Sequence, residues 1–320
     1  MAYAGKSWIP FVQTQKKILY TQLRKGIRFL DLRCCCADNE IIVEHGGFFL
    51  ARFKSNVVPM VHTFLRRFPS ETVLVSIKVA HKCKNDGCPN GFEAQLRLEI
   101  NDTMWYTLAS FPPTLGTVRG KAILLRRYKG SLGISMRGWP GDSRGYLKVH
   151  GYSVFVQDKY TLSGPVAESL KAKADLVNQA MKLSAGLGVY WQRKNKPVLF
   201  INFASATAHF FTTERIATTP KEVAAGWRLG MPMSMPIVVQ YPTPLTQGEF
   251  IKGVHFYLAE YIKQLYDYMV SHQRCLYDKT AKVCRLGIVV FDYPFDGYMH
   301  GWAKLPMEPW IQKFIKLNGV

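Results

Sequence analysis

The chain has 320 residues, 48% of them hydrophobic, and a formal net charge of +20 at pH 7. This length accommodates one large α/β domain or two smaller ones, and the composition excludes disordered and collagen-like proteins. The positive charge favours an anionic partner, either nucleic acid or an acidic lipid headgroup, with a generally basic surface as the plainer alternative. The basic residues are scattered along the chain, which argues against a nucleic-acid-binding arm.

Two kinds of membrane signal are missing from the printed sequence. No apolar stretch approaches the roughly 18–20 residues of a membrane-spanning helix. The first six residues lack the apolar core of a signal peptide. If the protein is secreted, we expect its leader to lie outside the printed chain.

The predicted elements are short apolar, β-branched runs that alternate with amphipathic stretches. In chain order they are helix 11–25, strands 27–32 and 41–43, helix 55–68, strand 72–79, helix 90–109, strands 122–126 and 154–157, helix 163–187, strands 198–202 and 236–240, helix 250–272 and strand 286–292. This alternation indicates a β/α barrel or a doubly wound sheet. No Gly-x-Gly-x-x-Gly motif opens a helix, so a dinucleotide-binding fold has little support. We predict a single barrel-like domain over residues 1–320.

The seven cysteines leave two interpretations open. Cys83 with Cys88, and Cys275 with Cys284, flank short polar segments, and either pair closes a surface loop if the compartment is oxidising. Reduced structural thiols are the alternative. No Cys-x-x-Cys or Cys/His spacing of the zinc-binding kind is present, so we expect no metal.

Charged and polar side chains recur where the predicted strands end. They are Asp31 and Arg33, His45, Lys78, Arg126 or Arg127, Asp158 with Tyr160, Ser205 and Asp292. In a β/α barrel these ends meet at the active face. Arginine and lysine bind phosphate oxygens, and a histidine supplies the titratable acid for a leaving group. Taken singly, each has a plainer role as a solvated lysine or a helix-capping aspartate. Together they predict a site for an anionic, hydroxyl-rich substrate.

Six ordered motifs resemble the X domain of bacterial-type, metal-independent phosphatidylinositol-specific phospholipases C. The most specific is residues 22–33, Gln-Leu-Arg-Lys-Gly-Ile-Arg-Phe-Leu-Asp-Leu-Arg, followed by Glu-His-Gly at 44–46. The other matching segments are residues 75–78, 119–128, 156–160, 200–205 and 287–293. The resemblance covers nearly the whole chain.

The resemblance implies a distorted (β/α)8 barrel of the TIM type and a cleavage that uses no metal or other cofactor. The inositol 2-hydroxyl attacks the adjacent phosphorus, which releases diacylglycerol and a cyclic inositol phosphate. An arginine at position 33 stands where the calcium-dependent branch carries acidic ligands. The implied substrate is phosphatidylinositol or a related anionic lipid.

The same resemblance implies roles for individual residues. Arg33 neutralises the phosphoryl oxygens, Asp31 supports that arginine, and His45 is the general acid for the diacylglycerol oxygen. Asp292 orients a general-base histidine. The residues expected to hold the inositol ring are Lys78, Arg127, Asp158 and Tyr160, and the strand-end Ser205 is assigned to substrate binding with them.

The general base is where this sequence departs from the family. The family carries it in a Gly-Thr-His-Asp stretch at the end of the first barrel strand, but all eight histidines here lie at position 45 or later. Either the printed chain begins one strand too late, or a natural variant has lost that strand and its base. In both cases we expect a barrel without its first strand and an open edge. Asp292 and His45 are then expected to lack their partners, and residues 1–320 to have negligible activity.

Access to a bilayer requires exposed aromatic or apolar side chains at the rim. Candidates are Trp139 with Pro140, residues 231–236 and residues 298–302, with packing in the core as the alternative. We expect a monomer at a membrane surface or secreted, with no nucleic-acid partner. The leading alternative function is a non-catalytic phosphoinositide- or inositol-phosphate-binding protein of the same fold. A phosphodiesterase acting on a different phospholipid is the other.

Overall fold

The computed structural model describes residues 12–80, 87–100, 103–185, 198–210, 216–217, 226–228, 250–252, 254–271, 287–292, 298–300, 303–305 and 309. Contacts divide the chain into two compact units. Unit 1 comprises Met1–Trp139 and Leu147–Val154, and unit 2 comprises Pro140–Tyr146 and Phe155–Val320. The prediction of one domain over residues 1–320 stays a prediction.

The described elements alternate between strands and helices along most of the chain. The helices are α1 (Leu19–Arg24), α2 (Val58–Arg67), α3 (Phe92–Glu99), α4 (Val166–Ser184) and α5 (Val254–Ser271). The longer strands are β1 (Phe29–Ala37), β2 (Glu40–His45), β3 (Phe48–Arg52), β4 (Val73–Val79), β6 (Ala122–Arg126), β8 (Arg144–Val149), β9 (Tyr152–Gln157), β11 (Val198–Phe203) and β12 (Thr207–Phe210). The shorter strands are β5 (Trp105–Tyr106), β7 (Ile134–Ser135), β10 (Thr161–Leu162), β13 (Ile216–Ala217), β14 (Gly226–Arg228), β15 (Phe250–Lys252), β16 (Ile288–Val290), β17 (Tyr298–His300) and β18 (Ala303–Leu305).

Unit 1 contains a sheet of seven strands in the order β3-β2-β1-β4-β6-β5, with β7 also paired to β6. The pairs β1–β4 and β4–β6 are parallel, whereas β1–β2 and β2–β3 are antiparallel. A second sheet has the order β16-β11-β9-β8, and its β11–β16 pair is parallel. The α/β class with parallel strands is confirmed, and no sheet among the described residues closes into a barrel.

Strand β1 illustrates how the sequence separates core from site. Leu30 and Leu32 are 1% and 0% exposed, whereas Asp31 is half-buried and Arg33 exposed. Because successive side chains of a strand point to opposite faces, one face of β1 packs in the apolar core and the other carries the charges. The core of unit 1 continues through β4, β6 and α2.

Three predicted helices are shorter in the structure. Residues 12–18 precede α1 in irregular conformation, and α3 ends at Glu99, after which Trp105 and Tyr106 pair with β6 as β5. Residues 250–252, predicted as helix, form β15 instead. At residues 105–106 and 250–252, strand pairing overrides the amphipathic pattern. The predicted strand at 236–240 lies outside the described residues.

The disulfide pattern differs from the loop-closing pairs considered from sequence. Cys88 bonds to Cys36, 52 positions away, and not to Cys83. Cys35 is also disulfide-bonded, and Cys34 is a free, buried thiol. Gly87 explains the approach, because a Cβ there would lie 2.4 Å from the carbonyl oxygen of Cys36. Cys275 and Cys284 lie outside the described residues.

Candidate functional site

Three neighbouring parallel strands in unit 1 carry the first group of predicted site residues. The strand predicted to end at residue 32 runs on to Ala37, so Asp31 and Arg33 lie inside β1 and not at its end. Asp31 of β1 pairs in register with Ser76 of β4, and Arg33 pairs with Lys78. Arg127 directly follows β6 and donates its amide N–H to the carbonyl of Ile77 at 2.9 Å. Parallel partners in register present their side chains to the same face, so these residues share one face of the sheet.

Asp31 and Arg127 form a buried ion pair within this group. Nη1 of Arg127 donates to Oδ1 of Asp31 at 3.0 Å, and the side chains are 7% and 16% exposed, respectively. Oγ of Ser76 donates to the same carboxylate oxygen at 2.8 Å. Burial opposes ionisation of Asp31, but the Arg127 charge and the Ser76 hydrogen bond hold its pKa below the ordinary value. The hydrogen-bonded arginine of Asp31 is therefore Arg127, while Arg33 acts on it only through its charge.

An aromatic ring covers the other side of the Arg127 guanidinium. Cζ of Arg127 lies 3.7 Å from the ring centroid of Trp139, which is half-buried. A cation stacked on an indole face is stabilised by the ring quadrupole. The sequence left two interpretations of Trp139, contact with the membrane or packing within the protein. The contact with Arg127 supports packing.

Arg33 and Lys78 place two cations side by side on the adjacent strands β1 and β4. They are register partners, and Arg33 is exposed while Lys78 is half-buried. Like charges on adjacent strands repel, and an anion bound beside them relieves that repulsion. The arrangement suits a phosphoryl group.

His45 ends β2 and is held by a hydrogen bond that was not expected from sequence. Its Nδ1 lies 2.8 Å from the carbonyl oxygen of Val12. Because a carbonyl can only accept, Nδ1 carries the hydrogen and Nε2 is the atom left to exchange a proton. The partner that the resemblance implied for His45 is an aspartate, and in the structure a main-chain carbonyl takes that place.

The surroundings of His45 disfavour its charged form. Burial is the main cause that lowers the pKa of this imidazole, the Val12 carbonyl opposes the shift, and the charge of Arg33 adds to it. A neutral ring predominates at neutral pH. As a general acid His45 would donate from Nε2 of the imidazolium form.

The hairpin beyond His45 exposes two phenylalanines. Gly46 and Gly47 have φ values of 63° and 90°, which a two-residue hairpin turn of the mirror-image type requires. Phe48 and Phe49 follow the turn and are 47% and 57% exposed. Sequence reasoning missed this pair, although two adjacent aromatics after a Gly-Gly turn are a readable signal of an exposed apolar tip.

Unit 2 holds the second group of predicted site residues. Asp158 follows β9 and is 8% exposed, and its N–H donates to the carbonyl of Ser143 at 2.8 Å. Tyr160 is half-buried, and its N–H donates to Oδ1 of Asp142 at 2.9 Å. Hydrogen bonds from Thr161 and neighbouring groups outweigh partial desolvation and lower the pKa of Asp142 to about 2. Asp158 and Tyr160, both predicted to bind substrate, thus lie on one turn that the Asp142 carboxylate holds.

Ser205 and Asp292 follow neighbouring parallel strands. The pairing of β11 with β16 runs to Phe203 and Val290, and Ala204 continues it with a hydrogen bond from its N–H to Val290. Both residues therefore lie just beyond the same end of this pair. Asp292 is 8% exposed and Ser205 is half-buried.

His255 of α5 is the histidine next to Asp292, but it is not placed to act as the base. Its ring bonds to the backbone of Asp292, and burial lowers its pKa to about 4. The residue is 1% exposed, so substrate cannot reach the ring. The expectation that no later histidine replaces the family's base stays a prediction, since His81 and His272 lie outside the described residues.

The described residues offer neither a metal site nor a membrane-spanning helix. No group of three or more His, Cys, Asp or Glu side chains there could hold a metal ion. None of the helices in these ranges has the length and apolar character needed to cross a bilayer. Of the rim candidates, residues 231–236 and Trp302 lie outside the described ranges.

Unit 1 is thus an α/β unit whose parallel strands carry a buried Asp–Arg pair with further cationic side chains beside it. The family model described as "Phosphatidylinositol-specific phospholipase C, X domain" matches residues 9–128. Residues 9–128 are thus similar to the X domain of phosphatidylinositol-specific phospholipases C, the family that the sequence motifs predict.

Curated relatives and solved structures agree with this assignment. The 1-phosphatidylinositol phosphodiesterase of Listeria monocytogenes is 30% identical over 228 residues, which cover 68% of this chain and 64% of the relative. The enzyme of the same name from Staphylococcus aureus (strain Newman) is 26% identical over 222 residues, covering 65% of this chain and 68% of the relative. The matched part thus spans about two thirds of each relative's length.

Solved phosphatidylinositol-specific phospholipases C share the fold. The Listeria monocytogenes structure has a TM-score of 0.57 and 24% identity, with coverage of 97% of this chain and 85% of that one. A Staphylococcus aureus structure, from work on modulating its membrane binding, has a TM-score of 0.61 and 18% identity, with coverage of 97% and 86%.

Proposed function

We propose that this chain binds the headgroup of phosphatidylinositol through a site built for cleaving its phosphodiester to diacylglycerol and a cyclic inositol phosphate. The observation that carries the proposal is the Asp31–Arg127 ion pair, which lies beside the register partners Arg33 and Lys78 on the face shared by β1 and β4. A cationic cluster stiffened by a buried carboxylate recognises a phosphodiester with little loss of side-chain freedom.

The proposed roles follow the contacts of each residue. Arg33 neutralises the phosphoryl oxygens, Asp31 fixes the guanidinium of Arg127, and His45 delivers a proton from Nε2 to the diacylglycerol oxygen. Asp292 is proposed to orient a general base. The residues proposed to bind the inositol hydroxyls are Lys78, Arg127, Asp158, Tyr160 and Ser205.

We further propose that residues 1–320 bind the headgroup but cleave it negligibly. Every histidine lies at position 45 or later, and His62 and His255 are both buried. Loss of a general base lowers the rate of cleavage by a factor of about 10²–10⁴. The same observation favours the second candidate, a natural phosphoinositide- or inositol-phosphate-binding protein without turnover.

Contact with the bilayer is proposed to occur through the hairpin tip that Phe48 and Phe49 form. Aromatic rings partition to the interface, and the net charge of +20 attracts anionic lipids. We propose a monomer that associates peripherally with the membrane surface and has no nucleic-acid partner.

The binding test compares vesicles of phosphatidylcholine with and without phosphatidylinositol, by sedimentation. We expect wild-type protein to prefer vesicles that contain phosphatidylinositol, and Arg33→Met to lose the preference. Arg66→Met removes an exposed arginine from α2 and is the matched control. Equal binding of wild type to both vesicles, or equal loss in both variants, refutes headgroup recognition.

The cleavage test separates the two candidates. Release of inositol phosphate is measured for residues 1–320 and for a chain extended upstream with a Gly-Thr-His-Asp strand. Gain of activity in the extended chain supports an enzyme whose base is missing from these residues. Binding without turnover in both chains supports the non-catalytic protein, and activity of residues 1–320 refutes the missing base.

A further inference from the structure

A lysine is completely buried in the core beside helix α4. Lys173 is 0% exposed, and its helix neighbours Leu170, Ala174 and Val177 belong to the apolar cluster of unit 2. Burying an ammonium group is costly unless it is hydrogen-bonded, whereas an apolar side chain would fill the position without that cost. Lys173 therefore calls for a role beyond filling space.

Lys173 donates its hydrogen bonds to the end of β9 and to the turn that follows it. Nζ donates to Oε1 of Gln157 at 3.1 Å and to the main-chain carbonyl of Lys159. Gln157 donates in turn to Oδ1 of Asn202 at 2.8 Å and to the carbonyl of Phe203 at 2.9 Å. This buried network joins α4 to the ends of β9 and β11.

Asp142 also holds this turn, by hydrogen bonds to residues 159–161. Its carboxylate accepts the N–H of Tyr160 at 2.9 Å, the N–H of Thr161 at 2.7 Å and Nζ of Lys159 at 3.0 Å. The turn that carries Asp158 is thus fixed both by a carboxylate and by a buried ammonium. Two such anchors are more than a surface turn needs for folding alone.

We propose that Lys173 is a positioning residue for headgroup binding, which fixes the turn presenting Asp158 and Tyr160 through its bonds to Gln157 and Lys159. The inference rests on the proposed function above. Lys173 itself does not touch the ligand. Its effect is to keep the two binding side chains in one geometry before the ligand arrives.

The charge state of Lys173 makes this device sensitive to pH. Burial is the dominant influence and lowers its pKa to about 7, against the attraction of Asp158, Asp292 and Asp142 and together with repulsion from Lys159. The ammonium is therefore about half populated near neutral pH. Headgroup binding is expected to weaken as the pH rises through this value.

The experiment uses Lys173→Met with Lys182→Met as the matched control, since Lys182 is an exposed lysine of the same helix. The dissociation constant for soluble inositol 1-phosphate is measured between pH 6 and pH 8.5. The ratio of the Lys173→Met constant to the wild-type constant is expected to be about ten at pH 6, because a misplaced binding group costs affinity steeply. That ratio is expected to fall toward one at pH 8.5, and it is unaffected by the ionisation of the phosphate and of His45, which both proteins share. Lys182→Met is expected to bind as the wild type does.

Thermal unfolding and amide exchange separate a positioning role from a structural one. We expect Lys173→Met to unfold at the wild-type temperature or above, while the amides of Tyr160 and Thr161 lose protection. Reduced thermal stability with unchanged affinity and protection overturns the inference. If wild type does not bind inositol 1-phosphate, the proposed function fails. The exchange of these two amides then still decides whether Lys173 holds the turn.

Discussion

Asp31 accepts a hydrogen bond from Arg127 at 3.0 Å, although the two residues are 96 positions apart in the chain. They meet because β4 lies between β1 and β6 and pairs in parallel with both. Ser76 of β4 completes the contact at 2.8 Å. A charged pair of this burial is expected to matter both for stability and for holding the guanidinium in place.

Removing either partner of the Asp31–Arg127 pair should lower the free energy of unfolding. Asp31→Asn is expected to lower the free energy of unfolding by about 3 kcal/mol, because Arg127 is left as a buried charge without its partner. Urea unfolding measures this. Lys263→Met breaks an exposed pair with Asp267 and should leave the free energy of unfolding nearly unchanged. The double variant Asp31→Asn/Arg127→Met should lose less than the two single losses combined, and strict additivity contradicts the coupling.

The hydrogen bond between His45 and Val12 predicts a tautomer and a titration. ¹⁵N NMR of the imidazole should show the hydrogen on Nδ1 in the neutral ring and a pKa below the ordinary 6.5. Arg33→Met should raise that pKa, because it removes a neighbouring positive charge. A hydrogen on Nε2, or a pKa above 6.5 in wild type, contradicts the geometry.

The exposed hairpin tip should contribute to vesicle binding. Phe48→Ser/Phe49→Ser is expected to weaken partitioning onto phosphatidylcholine vesicles containing phosphatidylinositol by about tenfold, from the apolar area lost. Leu108→Ser/Leu115→Ser is the control, since these leucines are 62% and 61% exposed in the same unit. If both double variants lose the same affinity, the hairpin tip has no special role.

The disulfide between Cys36 and Cys88 should stabilise the fold. Cys36→Ala/Cys88→Ala is expected to lower the free energy of unfolding by about 4 kcal/mol, from the closure entropy of a loop of this length. Cys34→Ala, which changes a free buried thiol, should cost about 1 kcal/mol. Equal losses in the two variants would argue that the covalent link adds nothing.

The lowered pKa of Lys173 predicts how the free energy of unfolding depends on pH. The unfolded chain keeps the proton of this lysine up to its ordinary pKa of 10.5, whereas the folded chain releases it near 7. Between these values the unfolded state binds more protons, so stability rises with pH by up to about 1.4 kcal/mol per pH unit. Lys173→Met should lack this rise in urea unfolding measured from pH 7 to pH 9. A wild type and variant with parallel pH profiles would refute the shift.

Many of the strands could be predicted from the pattern of apolar residues in the sequence. The strand predicted at 122–126 coincides with β6, and the strands predicted at 72–79 and 198–202 lie within a residue of β4 and β11. Continuous β-branched runs bounded by turns leave little choice of structure. The helix predicted at 90–109 failed at its second half, because pairing of Trp105 with the edge of β6 outweighs local helical spacing.

The sequence by itself indicated the family resemblance, the charged residues Asp31, Arg33 and His45 on predicted strands, and the absence of a histidine before position 45. Those features are local in the chain, so motif and spacing suffice to find them. Only the tertiary structure decided which partners these groups have: Arg127 for Asp31, the Val12 carbonyl for His45, and the β9 turn for the buried Lys173. Such pairings depend on strand order and register, which join residues that no local pattern connects.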